Sequence, residues 1–134
     1  MLAGLVLGAK HGTMAVIVYV LLGASGAPVF AAFGGGIGHI MGPSGGFILS
    51  FPIMATLVGL TSKKGSPPLI FLGVISALSI NFFAGALYFA TVTQNTLPAA
   101  FIAVVLPFLP NAAVQVIVLT TAGKRIRHIL SLRA

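Results

Sequence analysis

The chain has 134 residues, 58% of them hydrophobic and 5% charged, with a mean hydropathy of +1.17. All seven charged side chains are basic, and there is no Asp or Glu. A soluble domain of this size would carry several times more charge, and without Asp or Glu there is no carboxylate general base, nucleophile, magnesium ligand or proton relay.

The basic residues are Lys10, Lys63, Lys64, Lys124, Arg125, Arg127 and Arg133, which leaves residues 11–62 and 65–123 without formal charge. One helical span needs about 20 apolar residues, so each of these runs can hold more than one. The chain therefore reads as an integral membrane protein, with the lipid bilayer as its solvent. A pI near 11.2 does not argue for nucleic acid, because the few basic residues sit in short stretches between or after apolar runs. There is no cysteine, which excludes disulfides and thiolate chemistry. His11, His39 and His128 are far apart in sequence, so no metal site is expected. No G-x-x-x-x-G-K-[ST] motif is present for ATP hydrolysis. Neither catalytic residues nor a cofactor are expected, and the chain reads as a non-enzyme.

In chain order, residues 2–9 are apolar but too short to cross a bilayer, and read as the remainder of a longer helix. Residues 12–28 form the next segment, ending at Gly26-Ala27-Pro28. A stretch FAAFGGGIGHIMGPSGGF then runs from Phe30 to Phe47 with seven glycines. It places an external glycine-rich loop at 29–43, where the backbone turns tightly or approaches another group closely. The third segment is 44–61. The fourth, 67–91, opens with a Pro-Pro pair suited to a helix start. The last covers 98–123, interrupted by Pro107 and Pro110. All of it is expected to form one membrane domain, 1–134.

Threading these segments through a bilayer puts every basic residue on one side. Segment 12–28 leads away from Lys10, 44–61 returns to Lys63 and Lys64, 67–91 leaves again, and 98–123 returns to Lys124, Arg125 and Arg127. The positive-inside tendency makes that side cytoplasmic, with the C-terminus. The glycine-rich loop then faces outside. Uncharged polar groups gather toward the same outer half: His39 and Ser44 in or after the loop, with the backbone of Gly35 and Gly36, Asn81 and Tyr88 in the fourth segment, and Asn111 and Gln115 after Pro110. Irregular backbone at membrane depth is tolerated only where it is buried or lines a cavity. A half-helix starting near Pro110 would also aim free N–H groups and a positive dipole end inward. Together these features favour an outward-facing pocket.

The residues that carry this pattern resemble those of a known family. Gly26-Ala27-Pro28-Val29-Phe30-Ala31, then Gly34-Gly35-Gly36, then Gly42-Pro43-Ser44-Gly45-Gly46-Phe47 resemble the BioY family of biotin transporters. Leu7-Gly8-Ala9-Lys10-His11-Gly12 is similar to the family's L-G-x-x-x-G at the end of its second helix, and Leu106 to Pro110 to its entry to the last helix. The resemblance implies an all-α polytopic bundle of the S-component kind, lacking the first helix and part of the second. It also implies uptake of biotin or a related vitamin, with a transmembrane T component and two cytoplasmic ATPase subunits as partners. On that reading the ureido ring meets Asn81, Ser44 and the loop backbone around Gly35, Gly36 and His39. Phe30, Phe33, Phe47 and Tyr88 cover the apolar ring and tail, and the carboxylate lies toward Asn111 and Gln115. Where many members carry G-D-x-x-K, this chain has Asn111-Ala112-Ala113-Val114-Gln115, with neither acid nor lysine. A structural membrane subunit without vitamin binding, and an S component for another small vitamin, are the alternatives.

Overall fold

The computed structural model describes residues 1–133, and these form helices with one isolated bridge between Phe30 and Gly34. The helices are α1 (Leu2–Ala24), α2 (Ile37–Met41), α3 (Gly45–Ser62), α4 (Pro67–Thr93), α5 (Leu97–Val104) and α6 (Leu109–Arg133). Short 3-10 turns lie at Ala31–Phe33 and Leu106–Phe108. Among the described residues, four stretches are long and apolar enough to cross a membrane: Leu2–Ala24, Gly45–Ser62, Pro67–Thr93 and Leu97–Leu130.

Helix α1 is two arms rather than one rod. Gly8 has φ 79° and ψ 177°, a backbone conformation closed to other L-residues, and the helix breaks there. A straight helix would hold positions 4 and 12 about 12 Å apart. Instead a Cβ on Gly12 would sit 2.6 Å from the Cα of Gly4, so the chain doubles back. Both arms lie on α3. Gly4 meets Ala55, Ala9 meets Gly59, and the hydroxyls of Thr13 and Thr56 share a 2.6 Å hydrogen bond. The contacts climb α3 from Ala55 to Gly59 and then descend it to Thr56. The break expected around Lys10 and His11 therefore falls at Gly8, and those two residues belong to the second arm.

Helices in a bilayer gain no hydrophobic drive from burying side chains against one another, so close packing through small residues has to hold them. Gly59 illustrates this. A methyl group there would run into the backbone of Ala9 at the hairpin turn, which cannot swing aside as a side chain could. Gly59→Ala should cost about 1–3 kcal/mol, the usual scale of overpacking. Thermal unfolding in detergent reads this directly, and an unchanged midpoint would mean that the hairpin does not rest on α3.

Helix α3 packs on α1 and α4, and α4 in turn on α5 and α6. Leu5, Met54, Val58, Ile70, Val74, Ala77, Leu78, Ala112 and Leu119 make the shared core. Helix α4 begins with Pro67 and Pro68 in its first turn and ends where Gln94 turns left-handed (φ 56°), its N–H bonded to the Ala90 carbonyl. Pro52 sits inside α3 without breaking it.

Pro107 and Pro110 act more gently than expected. They tighten the backbone into the turn Leu106–Phe108, but Val105 and Leu109 both keep right-handed helical angles. The N–H groups of Phe108 and Leu109 are taken by the carbonyls of Val105 and Leu106. The free helix end anticipated near Pro110 is thus a tightened continuation of the helix.

The packing sorts the ends of the bundle. The Gly8 turn, the end of α3 and the start of α4 lie together, and Gly123 of α6 faces Ile70 and Leu5 there. Lys10, Lys63, Lys64 and Lys124 therefore share one end. At the opposite end lie the start of α3, the last turns of α4 and the glycine-rich loop.

Candidate functional site

The loop is a folded cap rather than an open connector. The Phe30 N–H donates to the Gly34 carbonyl at 2.9 Å and the Gly36 N–H to the Gly23 carbonyl at 2.5 Å. The Tyr19 hydroxyl reaches from α1 to the Val29 carbonyl at 2.6 Å. Gly34 and Gly35 are there because backbone and side chain crowd them. A Cβ at Gly34 would enter the His39 ring, and one at Gly35 would enter the Ala27 carbonyl. Gly35→Ala should accordingly disturb the cap itself, lowering both monodisperse yield and ligand affinity. Loss of affinity in a variant that is otherwise as stable as the parent would instead put Gly35 against the ligand.

Beneath the cap lies a cavity of about 800 Å³. Vitamin- and drug-sized molecules occupy cavities of roughly 300–1,000 Å³. Its walls are stripes of helical spacing: Val16 and Tyr19 on α1, then Ser44, Phe47, Ile48, Phe51 and Met54 down α3, and Leu78, Asn81 and Phe82 on α4. Phe108, Asn111, Ala112, Val114, Gln115, Val118 and Leu119 close the α6 side, with Met1 and Leu2. Phe30 and His39 hang into it from the cap.

Asn81 is the best-defined polar group in the wall. It is 6% exposed, and its amide nitrogen donates to the Phe47 carbonyl (3.1 Å) and the Ser50 hydroxyl (2.6 Å). Ser50 itself donates to the Phe47 carbonyl at 2.8 Å. A carbonyl can only accept, so the Asn81 nitrogen is the atom that faces Phe47. With the nitrogen so engaged, the Asn81 oxygen remains an acceptor without a partner among the described residues. An unpaired acceptor in an apolar wall favours a ligand that brings an N–H, because leaving it unpaired once a ligand has displaced solvent is costly.

His39 is oriented by the cap. Its Nδ1 lies 3.1 Å from the Gly35 carbonyl, so Nδ1 carries the hydrogen and Nε2 is an acceptor in the neutral ring. Its ring centroid is 6.1 Å from that of Phe30, which in turn meets Tyr19 edge-on at 5.8 Å. Ser44 reaches the His39 carbonyl at 3.4 Å, a long contact that leaves its hydroxyl adaptable.

Of the residues picked out from the sequence, Phe30, His39, Ser44, Phe47, Asn81, Asn111 and Gln115 line the cavity. Phe33, Gly35, Gly36 and Tyr88 do not. Phe33 is 88% exposed, on a left-handed backbone (φ 57°) that turns it away from the bundle. Gly35 and Gly36 pack the cap against Ala27 and Gly23. Tyr88 donates to the Ile40 carbonyl at 2.8 Å and lies over Gly45 and Gly46, which ties α2 to the bundle. Sequence reasoning passed over Tyr19, Phe51, Phe82 and Phe108 as lining groups. The recurrence Phe47, Phe51, Met54 on one face of α3 was the available signal.

These features define a class: a polytopic α-helical membrane protein with a capped, mostly apolar cavity at the end opposite Lys10, Lys63, Lys64 and Lys124. The sequence model of the BioY family matches residues 1–132, and the chain belongs to that family. It is 43% identical over 108 residues to a probable biotin transporter BioY of Pyrococcus horikoshii, covering 81% of this chain and 63% of that protein. It is 28% identical over 137 residues to a probable biotin transporter BioY of Methanothermobacter thermautotrophicus, covering 96% of this chain and 87% of the relative. With the biotin transporter BioY of Thermotoga maritima the identity is 51% over 63 residues, 47% of this chain and 37% of that one. The chain thus spans less than two thirds of the length of the Pyrococcus and Thermotoga relatives. Its fold matches the crystal structure of the S-component for biotin from an ECF-type ABC transporter, with a TM-score of 0.82 and 26% identity, over 94% of this chain and 70% of that one.

Proposed function

We propose that this protein takes up biotin across the cell membrane as the substrate-binding component of an energy-coupling-factor transporter. It is a transport component rather than an enzyme, and works with a transmembrane T component and two cytoplasmic ATPase subunits. The observation that carries the reading is the braced Asn81, which lines an apolar cavity of vitamin size and whose oxygen makes no hydrogen bond among the described residues. A ureido ring brings N–H donors to that acceptor. Ser44 on α3 and His39 in the cap border the same cavity for the rest of the ring. Phe30, Phe47 and Phe51 flank the apolar bicycle, and the tail runs toward Asn111 and Gln115.

The test is growth at limiting biotin of a host that neither makes nor imports it. Expression of this chain with its T component and ATPases should restore growth and accumulation of labelled biotin. Expression that leaves accumulation at the level of the empty host overturns the proposal.

The shared basic end lies in the cytoplasm on this reading, and the cap faces outside. In intact cells a Lys64→Cys variant should therefore resist a membrane-impermeant thiol reagent, while a Pro43→Cys variant in the cap reacts. Labelling of Lys64→Cys from outside would invert the topology.

A further inference from the structure

The seven cations of this chain have no Asp or Glu among its residues to offset them, and the fold gathers several of them closely. The turn from α3 to α4 is the sharpest case. The Gly65 N–H returns to the Ser62 carbonyl at 2.9 Å, and Gly65 takes a left-handed φ of 70°. Lys63 and Lys64 are thus the two central residues of a tight turn, and both are exposed.

Lys10 comes to the same place from α1. The backbone of Gly8 and Ala9 rests on Gly59, and the Lys63 N–H meets the Gly59 carbonyl at 3.3 Å, one turn on. Lys63 therefore follows Gly59 along the face of α3 that carries the hairpin turn, while exposed Lys10 follows Ala9 out of that turn. Lys124 flanks them on α6, next to Gly123, which lies against Ile70 and Leu5. Like charges brought together repel, so an anion that joins them is held by all of them at once.

Position decides which anion suits this end. Ser62 closes one apolar span and Pro67 opens the next, so only the residues from Lys63 to Ser66 carry the chain out and back. So short a connection holds Lys63 and Lys64 at the level of the lipid headgroups. Lys10 starts about one helical turn, or about 5 Å, deeper, and its ammonium reaches the phosphate layer at the end of its own apolar stem. The surface beside these lysines is apolar, with Leu7 and Leu60 both exposed. A lipid brings phosphate and acyl chain at matching heights, whereas a free anion or a soluble acidic protein brings charge alone. Basic clusters at the ends of membrane spans attract anionic headgroups.

We propose that this end of the bundle binds an anionic phospholipid. Lys10, Lys63 and Lys64 receive its phosphodiester headgroup, and its acyl chains lie over the apolar surface that includes Leu7 and Leu60. The site is separate from the capped cavity, at the other end of the bundle.

Native mass spectrometry of the purified protein, released from micelles with equal phosphatidylglycerol and phosphatidylcholine, counts the lipids that stay bound. Phosphatidylglycerol should be retained over phosphatidylcholine by at least about tenfold, given three cations at the headgroup level. It should also raise the unfolding midpoint in detergent, and about 1 M salt, where the screening length is about 3 Å, should weaken that effect. Inorganic phosphate and poly-glutamate, each added to phosphatidylcholine micelles, should leave the midpoint unchanged. Equal retention of the two lipids overturns the proposal. Stabilisation by phosphate or by poly-glutamate as large as that by phosphatidylglycerol assigns this end to a free anion or to an acidic protein, and overturns it too.

Variants locate the lipid. Lys10→Gln, Lys63→Gln and Lys64→Gln combined should abolish the preference, and the same three positions changed to arginine should keep it. Should the triple glutamine variant fail to fold, Lys10→Gln alone should lower the preference by at least about threefold. A preference that persists undiminished in the glutamine variants places the lipid elsewhere and removes the site. Neither the ligand of the cavity nor the orientation of the chain in the membrane enters these measurements.

Discussion

Asn81→Ala should lose biotin affinity by about ten- to a hundredfold, or roughly 1.4–2.8 kcal/mol. The substitution removes an acceptor whose side chain is held in place from behind, and it opens space where the ureido ring would lie. Ser50→Ala separates position from contact. It cuts the 2.6 Å brace but keeps the Asn81 oxygen and its bond to the Phe47 carbonyl. That variant should weaken binding by no more than about fivefold, within the worth of one neutral hydrogen bond. Equal losses in both would mean that the node of Asn81, Ser50 and Phe47 serves α3–α4 packing and not the ligand. An Asn81→Ala protein that binds biotin as well as the parent would dismiss the site.

Gly46→Val should be the most damaging single change to the fold. Gly46 lies where α3 and α4 touch nearest the cap, and any Cβ there would enter the Tyr88 side chain and the Ala84 carbonyl. Gly45 beside it is closed off by the Ile40 carbonyl, and Gly85 opposite by the Phe47 ring. Valine adds three carbons at a point with no room for one, and its stiff χ1 leaves no alternative rotamer to escape into. The helices must separate, which also frees Tyr88 from Ile40 and Phe47 from its place in the cavity wall. A loss of about 3 kcal/mol or more is expected, at the top of the overpacking range. It should show as a sharp fall in monodisperse yield and in the unfolding midpoint, with ligand binding lost together. Wild-type stability in Gly46→Val would contradict the packing of these two helices.

The two variants also show what could be read from residues alone. The class of fold was legible because charge-free apolar runs can only be bilayer spans, and the basic residues fell on one side when the spans were threaded. Asn81 stood out because a carboxamide amid Ile80, Phe82 and Phe83 is conspicuous in such a run. The break at Gly8 was less legible, since a single glycine in an apolar segment is compatible with a straight helix, and only contact with Ala55 and Gly59 reveals the hairpin. The glycine cluster was read as a ligand-facing loop, yet Gly34 and Gly35 answer to crowding by His39 and Ala27, neighbours a few residues away whose approach no spacing rule conveys. Phe33 and Tyr88 were aromatic in an apolar loop and span, and composition does not say which way a ring points. A left-handed backbone at Phe33 and a hydrogen bond from Tyr88 to Ile40 turn both from the cavity. Pro107 and Pro110 promised a broken helix, but prolines at that spacing were absorbed by one 3-10 turn. The apolar half of the wall, from Phe51 to Leu119, was hidden because its residues look like any lipid-facing or core positions.

Titration calorimetry on the purified protein shows whether the capped cavity holds biotin. Biotin should give saturable heat with one molecule bound per chain, and the same titration of Asn81→Ala should be shifted to about ten- to a hundredfold higher ligand. No heat at millimolar biotin from folded, monodisperse protein, and no protection of its unfolding midpoint, would contradict biotin binding in the cavity.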